Sequence, residues 1–250
     1  MQIRRKTINE CKGQPKLQKA LAFAILLKYK LGRSSLMQNY SINKVHTLTN
    51  VSATAIKKYM PILIENGWVS FCGKNKQHLV VRKFASHTKT RNICVDKFCF
   101  KSFKDVYYSL RAFLVLIIQS HKDFIKRTLQ IATNPKRGQN FKAARKLVKR
   151  LVKQGILKSV FETYKEYGLS FKRIAKETGN CARTAQRIMQ YAVNKKWVEK
   201  QNHYEKVNST NFYCDYYTFY KNGKLYKVYA NTYELSSAIT KSVACNKMYW

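Results

Sequence analysis

Apolar residues recur every three to four positions in several stretches of the chain and alternate with polar ones in others. Between Lys16 and Leu31, the residues Leu17, Leu21, Ala24, Ile25 and Leu31 predict a helix, which Gly32 ends. Ser41 opens a short helix, SINKVHTLT, and Asn50 supplies a turn. Ser52 is a good N-cap for a second helix, SATAIKKYMPILIEN, closed by Gly67. Ile56, Met60 and Leu63 fall on one face of it. WVSFC (68–72) and HLVVRKF (78–84) alternate as strands around the loop 73–77.

Further along, Leu110, Leu114, Ile117, His121, Phe124, Thr128 and Ile131 alternate in steps of four and three, predicting a long amphipathic helix over 105–132 with room for one break. Asn134-Pro135 and Gly138 interrupt the pattern. FKAARKLVKRLVKQ then predicts a helix ended by Gly155, with Ala144, Leu147, Val148 and Leu151 on its apolar face. Lys142, Arg145, Lys146, Lys149 and Lys153 lie on the opposite face. In the tail, TFYKNGKLYKVYA places Asn222-Gly223 between alternating runs, a strong hairpin signal. Residues 233–245 read as one closing helix.

One segment recurs. Residues 41–69 lie over 170–198 without a gap at a shift of 129 positions. Ser41 meets Ser170, Val45 meets Ile174, Thr49 meets Thr178, and Lys58 meets Arg187. Met60 meets Met189, and Trp68-Val69 meets Trp197-Val198. Identities are few, but they fall where a helix pair needs its core and its caps.

Charge changes the picture most. Lys and Arg number 49 against 12 Asp and Glu, a formal net charge of +37. The excess runs along the whole chain rather than in one tail, so each folded part is basic. Such a field attracts polyanions, nucleic acid above all, because each neutralised phosphate releases counterions. A membrane surface is the competing partner, but no run is apolar enough to span a bilayer. Hydrophobic residues make up 45% of the chain, enough for a real core. The seven cysteines are odd in number and form no C-x-x-C, and no secretory signal opens the chain, which reads as reduced thiols in a cytoplasm. Abundant Lys, Asn, Tyr and Ile, all with AT-rich codons, hint at a phage or other mobile element as the source.

At Ser52, Ile56, Met60, Leu63, Gly67, Trp68 and Val69 the chain resembles the winged helix-turn-helix family of DNA-binding proteins. Cys181, Ala185, Met189, Ala192, Trp197 and Val198 repeat the resemblance. Two departures stand out: Cys181 is a poor cap, and Lys196 replaces the Gly. Two such units in tandem also resemble, in architecture alone, plasmid and phage replication initiators. The resemblance implies a mainly α fold with small β-hairpins (α+β), two winged helix-turn-helix units joined by a helical middle segment. The corresponding boundaries are 1–100, 101–166 and 167–250, the last with a β-rich aromatic extension. It implies duplex DNA as the partner, in transcriptional control or at a replication origin. It leaves open a homodimer, which the Pro61, Ile62 and Ile64 half of the first recognition helix would suit.

A recognition helix turns its outer face to base edges in the major groove. In the first unit Thr54, Lys57 and Lys58 face outward; in the second Arg183, Gln186, Arg187 and Gln190 do. Arg can bond guanine bidentately and Gln can bond adenine, so the second helix is the better reader. Lys74 and Lys76 in the wing, Lys172 and Arg173 at the start of the second unit, and the 142–153 stripe are candidates for phosphate. The aromatic tail could stack on unpaired bases, but a sheet face filled with β-favouring residues is the plainer reading. His78, His87, Cys94 and Cys99 have a spacing that matches no common zinc site. The carboxylates are scattered, and no phosphate-cradling or metal-hydrolase motif occurs. The expectation is therefore a DNA-binding protein rather than an enzyme, without cofactor, metal or small-molecule substrate. A non-specific architectural binder of DNA or RNA, and a DNA-targeted nuclease, are the alternatives.

Overall fold

The computed structural model describes residues 2–82, 84, 92–94, 100–134, 139–157, 168–206 and 218–235. It is mainly helical with small antiparallel sheets. In chain order the elements are β1 (Gln2–Arg4), α1 (Arg5–Glu10), α2 (Pro15–Leu31), β2 (Leu36–Met37), α3 (Ile42–Thr49) and α4 (Ala53–Glu65). Next come β3 (Val69–Cys72), β4 (His78–Val81), β5 (Asn92–Cys94), α5 (Phe103–Thr133) and α6 (Phe141–Lys153). The described chain closes with α7 (Phe171–Thr178), α8 (Ala182–Asn194), β6 (Val198–Lys206), β7 (Thr218–Lys221) and β8 (Lys224–Leu235).

Two compact units emerge. One holds Met1–Val115 and Phe171–Glu199, the other Leu116–Ser170 and Lys200–Tyr233. This grouping crosses the boundaries drawn from sequence: α7 and α8 belong with the N-terminal helices, and α5 contributes to both units.

In the first unit, α2 is enclosed rather than one-sided. Leu21 to Leu27 are each 1% exposed or less, as befits a helix apolar all round. The start of α5 departs from the expected amphipathic pattern in the same way: Asp105, Val106, Tyr107 and Ser109 to Val115 are all buried. The sequence carries the reason, because Arg111 is the only Lys, Arg, Asp or Glu between Val106 and His121. With neither Gly nor Pro inside it, α5 runs unbroken. A small sheet has the order β2-β4-β3, with Leu36 opposite Val80 and Val69 opposite Val81. β1 pairs antiparallel with β5. Strands of two or three residues such as β1, β2 and β5 are too short for periodicity to announce.

The 129-position repeat is also a repeat of backbone geometry. Helix bounds 42–49 and 53–65 return as 171–178 and 182–194. Asn50 and its counterpart Gly179 both take positive φ, 54° and 70°. Gly67 and Lys196 do likewise at 63° and 56°, so the lysine occupies the left-handed position its counterpart fills with glycine. Trp68 N donates to Leu63 O at 2.9 Å and Trp197 N to Ala192 O at 3.0 Å. Thr49 Oγ1 donates to Val45 O, and Thr178 Oγ1 to Ile174 O, both at 2.7 Å. Ser52 caps α4 by accepting from Ala55 N, whereas Cys181 makes no such side-chain bond to the backbone.

In the second unit, the inner faces of α5 and α6 form one core of Ile125, Leu129, Ala132, Ala144, Val148, Leu151 and Leu157. Its sheet has the order β6-β8-β7. The hairpin β7–β8 turns at Asn222 and Gly223, both with positive φ, as the sequence predicts. The closing helix read from 233 gives way at its start to strand, since β8 continues through Leu235. Leu169 N donates to Asn231 O, Tyr233 is buried, and both hold the chain extended there. Residues 236–245 lie outside the described residues.

Candidate nucleic-acid interface

Each helix pair buries one face and exposes the other. Ile56, Tyr59, Met60 and Leu63 anchor α4, and Ala185, Ile188, Met189 and Ala192 anchor α8. The opposite sides carry Thr54, Lys57 and Lys58 on α4, and Arg183, Gln186, Arg187 and Gln190 on α8, all exposed. Gln190 donates to Asn194 Oδ1 at 2.9 Å. Among the described residues no carboxylate pairs with Lys57, Lys58, Arg183 or Arg187.

The remaining expected phosphate contacts divide. Lys74 and Lys76 are exposed in the tight loop between β3 and β4, where Lys76 N donates to Gly73 O at 3.1 Å. Lys172 is exposed at the start of α7, but Arg173 is tied to Glu177 at 3.2 Å. On α6, Lys142, Lys146, Lys149 and Lys153 are exposed. Arg145 is exposed too, but it lies over the Phe141 ring at 4.2 Å and donates to Ala132 O at 3.4 Å.

What holds α8 in place was not legible from periodicity. The α5 N-terminus is a reciprocal capping box: Ser102 N donates to Asp105 Oδ2 at 3.0 Å and Asp105 N to Ser102 Oγ at 3.2 Å. The other oxygen of Asp105 accepts from the Tyr191 hydroxyl of α8 at 2.5 Å, with Lys195 Nζ 3.6 Å away. Burial pushes the Asp105 carboxyl up, but bonds from Tyr191, Ser102 and the Lys101 amide, together with Lys195, outweigh it and hold it below the ordinary range. Tyr191 is pushed up to about 12, by burial first and then by Asp105. A run of ring contacts links α4 to α8: Tyr59 to Phe103, Phe103 to Tyr107, Tyr107 to Tyr108, and Tyr108 to Tyr191, at 5.0–6.1 Å between centroids.

No known family, curated protein or solved structure matches this chain.

A second cross-link joins α2, α5 and α7. Buried Gln18 donates to Cys11 O at 2.9 Å and Thr178 O at 3.1 Å, and accepts from Arg111 Nε at 2.9 Å. Arg111 stacks on Tyr107 at 4.0 Å. Lys12 Nζ and Glu177 Oε2 stand 2.5 Å apart. Burial raises Glu177, but Lys12 and Arg173 outweigh it and leave its acidity increased. A polar residue in an apolar helix, Gln18 within KLQKALAF, was the available signal, as was Ser102-x-x-Asp105.

Asp105 and Glu177 are therefore structural carboxylates, and both titrate below their ordinary values on folding. Their contribution is complete above the unfolded pKa near 4 and is lost as pH falls through the lower folded values. Thermal unfolding between about pH 6 and pH 2.5 should fall more steeply for the native chain than for Asp105→Asn. Parallel curves would remove Asp105 from the account.

Of the zinc quartet, His87 and Cys99 lie outside the described residues. Both ring nitrogens of His78 are engaged, Nδ1 by the Asn39 amide at 3.2 Å and Nε2 by Gln77 at 3.4 Å. No helix among the described residues is long and apolar enough to cross a membrane.

Proposed function

We propose that this chain is a sequence-specific binder of duplex DNA, built on two winged helix-turn-helix units whose helix pairs lie in one compact unit. The observation that carries the reading is the repeated helix pair, whose second copy presents Arg183, Gln186, Arg187 and Gln190 outward without a carboxylate partner. Two further features support it. The order helix, strand, helix, helix, strand, strand from α2 to β4, with the first strand beside the last, is compatible with a winged helix. The net charge of +37 supplies sequence-independent attraction to phosphate.

In this reading α8 reads bases, α4 adds Thr54, Lys57 and Lys58, and the loop at Lys74 and Lys76 tracks phosphate. The exposed α6 lysines add affinity without sequence information. The role is transcriptional regulation or replication initiation, with a mobile element as the source.

Competition separates this from a charge-only binder. Labelled duplex carrying a selected site should resist displacement by random duplex, single strand and RNA, and its binding should weaken steeply with salt. Equal displacement by all three competitors would leave only the non-specific reading.

A further inference from the structure

We propose that the sheet of the second unit carries a separate platform for single-stranded DNA, centred on Tyr204. Alternate residues of a strand share a face. On β6 these are Lys200, Asn202, Tyr204 and Lys206, and all four are exposed. At 54%, Tyr204 is the most exposed large apolar side chain among the described residues. Tyr226 of β8 meets it edge-on, with centroids 5.6 Å apart and planes at 89°. Val228 follows two positions on, 37% exposed. Lys221 and Lys224 are exposed at the β7–β8 turn. Glu199 falls at an odd position, off the lysine face.

The chemistry selects an unpaired strand. In a duplex both faces of each base are covered by neighbouring pairs, so an exposed ring has nothing to stack on. An unpaired base offers its π-face, and lysines two and four positions away suit the phosphates on either side. A helix reading a major groove uses neither feature. The platform therefore stands apart from the duplex reading; only the choice of DNA over RNA rests on that reading, through strands opened from the bound duplex.

The test uses the full chain and fluorescence anisotropy. The probes are a thymidine oligomer of about 15 nucleotides, the matching uridine oligomer, an abasic strand with the same phosphates, and a duplex. The thymidine strand should bind about tenfold tighter than the abasic one. Tyr204→Ala should remove most of that tenfold while leaving duplex affinity unchanged to within about twofold, and Tyr204→Phe should keep it. Lys206→Gln should flatten the single-strand salt dependence by about 0.7 in log–log slope. An iodouracil-substituted strand should cross-link within 198–206 of the native chain, a readout that needs no variant to fold. Equal binding of abasic and thymidine strands, preference for uridine, an inert Tyr204→Ala, or cross-links confined to other segments would each overturn the proposal.

Discussion

Replacing Arg183 and Arg187 together by alanine should cost between about 30-fold and 10⁴-fold in affinity for a selected duplex, because each bidentate contact to guanine is worth about 1–3 kcal/mol. Both side chains are exposed on α8 and, among the described residues, carry no salt bridge. Folding should therefore change by less than about 0.5 kcal/mol. The loss should fall mainly on the selected sequence, with random duplex weakened only through the two lost charges. Lys149→Ala on α6 should do the opposite, weakening selected and random duplex alike. Gel-shift titrations of both variants on both duplexes measure the contrast. Equal losses on the two duplexes for the arginine variant would place α8 outside base reading.

Gly179→Ala should destabilise the first unit by about 2–4 kcal/mol, combining a left-handed backbone with overpacking. Gly179 has φ +70°, and an added Cβ would stand 2.7 Å from Gly13 O and 2.9 Å from Pro15 Cδ. Backbone cannot step aside as a flexible side chain can, and Gly13 N is already committed to Glu177 O at 2.9 Å. The segment before α2 and the turn between α7 and α8 would have to part. Asn50 provides the internal control. It occupies the same left-handed place in the first helix pair, at φ 54°, and carries a side chain there. Asn50→Gly should shift stability by no more than about 0.5 kcal/mol. Chemical denaturation of the two variants gives the comparison, and a harmless Gly179→Ala would mean that the segment before α2 and the α7–α8 turn are not held together here.

The sequence disclosed what has a local cause. Ser41, Ser52 and Asn140 cap their helices with side-chain bonds, and Asn222-Gly223 makes its hairpin. The two helix pairs share their bounds at the shift of 129 positions, because the same turn and core positions recur, although Cys181 lacks the side-chain cap of Ser52. The inward and outward sides of α4 and α8 followed from their periodicity. What escaped were interactions between residues far apart in the chain. Nothing near Gln18 announces Thr178, and nothing near Asp105 announces Tyr191. For the same reason the boundary at 101 cut through a body that α5 joins from within. The closing helix from 233 failed at its start because burial of Tyr233 and the Leu169–Asn231 bond extend the strand, a tertiary effect that local pattern does not record.

Gly168 belongs to the same class. A Cβ there would lie 1.9 Å from Asn231 O, so only glycine permits the close approach of the two backbones. The sequence presents Gly168 as one loop glycine among several, and its necessity appears only with its neighbour 63 positions away.

Selection of bound fragments from a random duplex pool addresses the whole reading at once. Two helix pairs fixed in one body by Gln18, Asp105 and the ring contacts should enrich two short sequence blocks at a single constant spacing, and an insertion of about half a helical turn between them should abolish tight binding. Enrichment of no sequence, or of blocks whose spacing drifts freely, would contradict it.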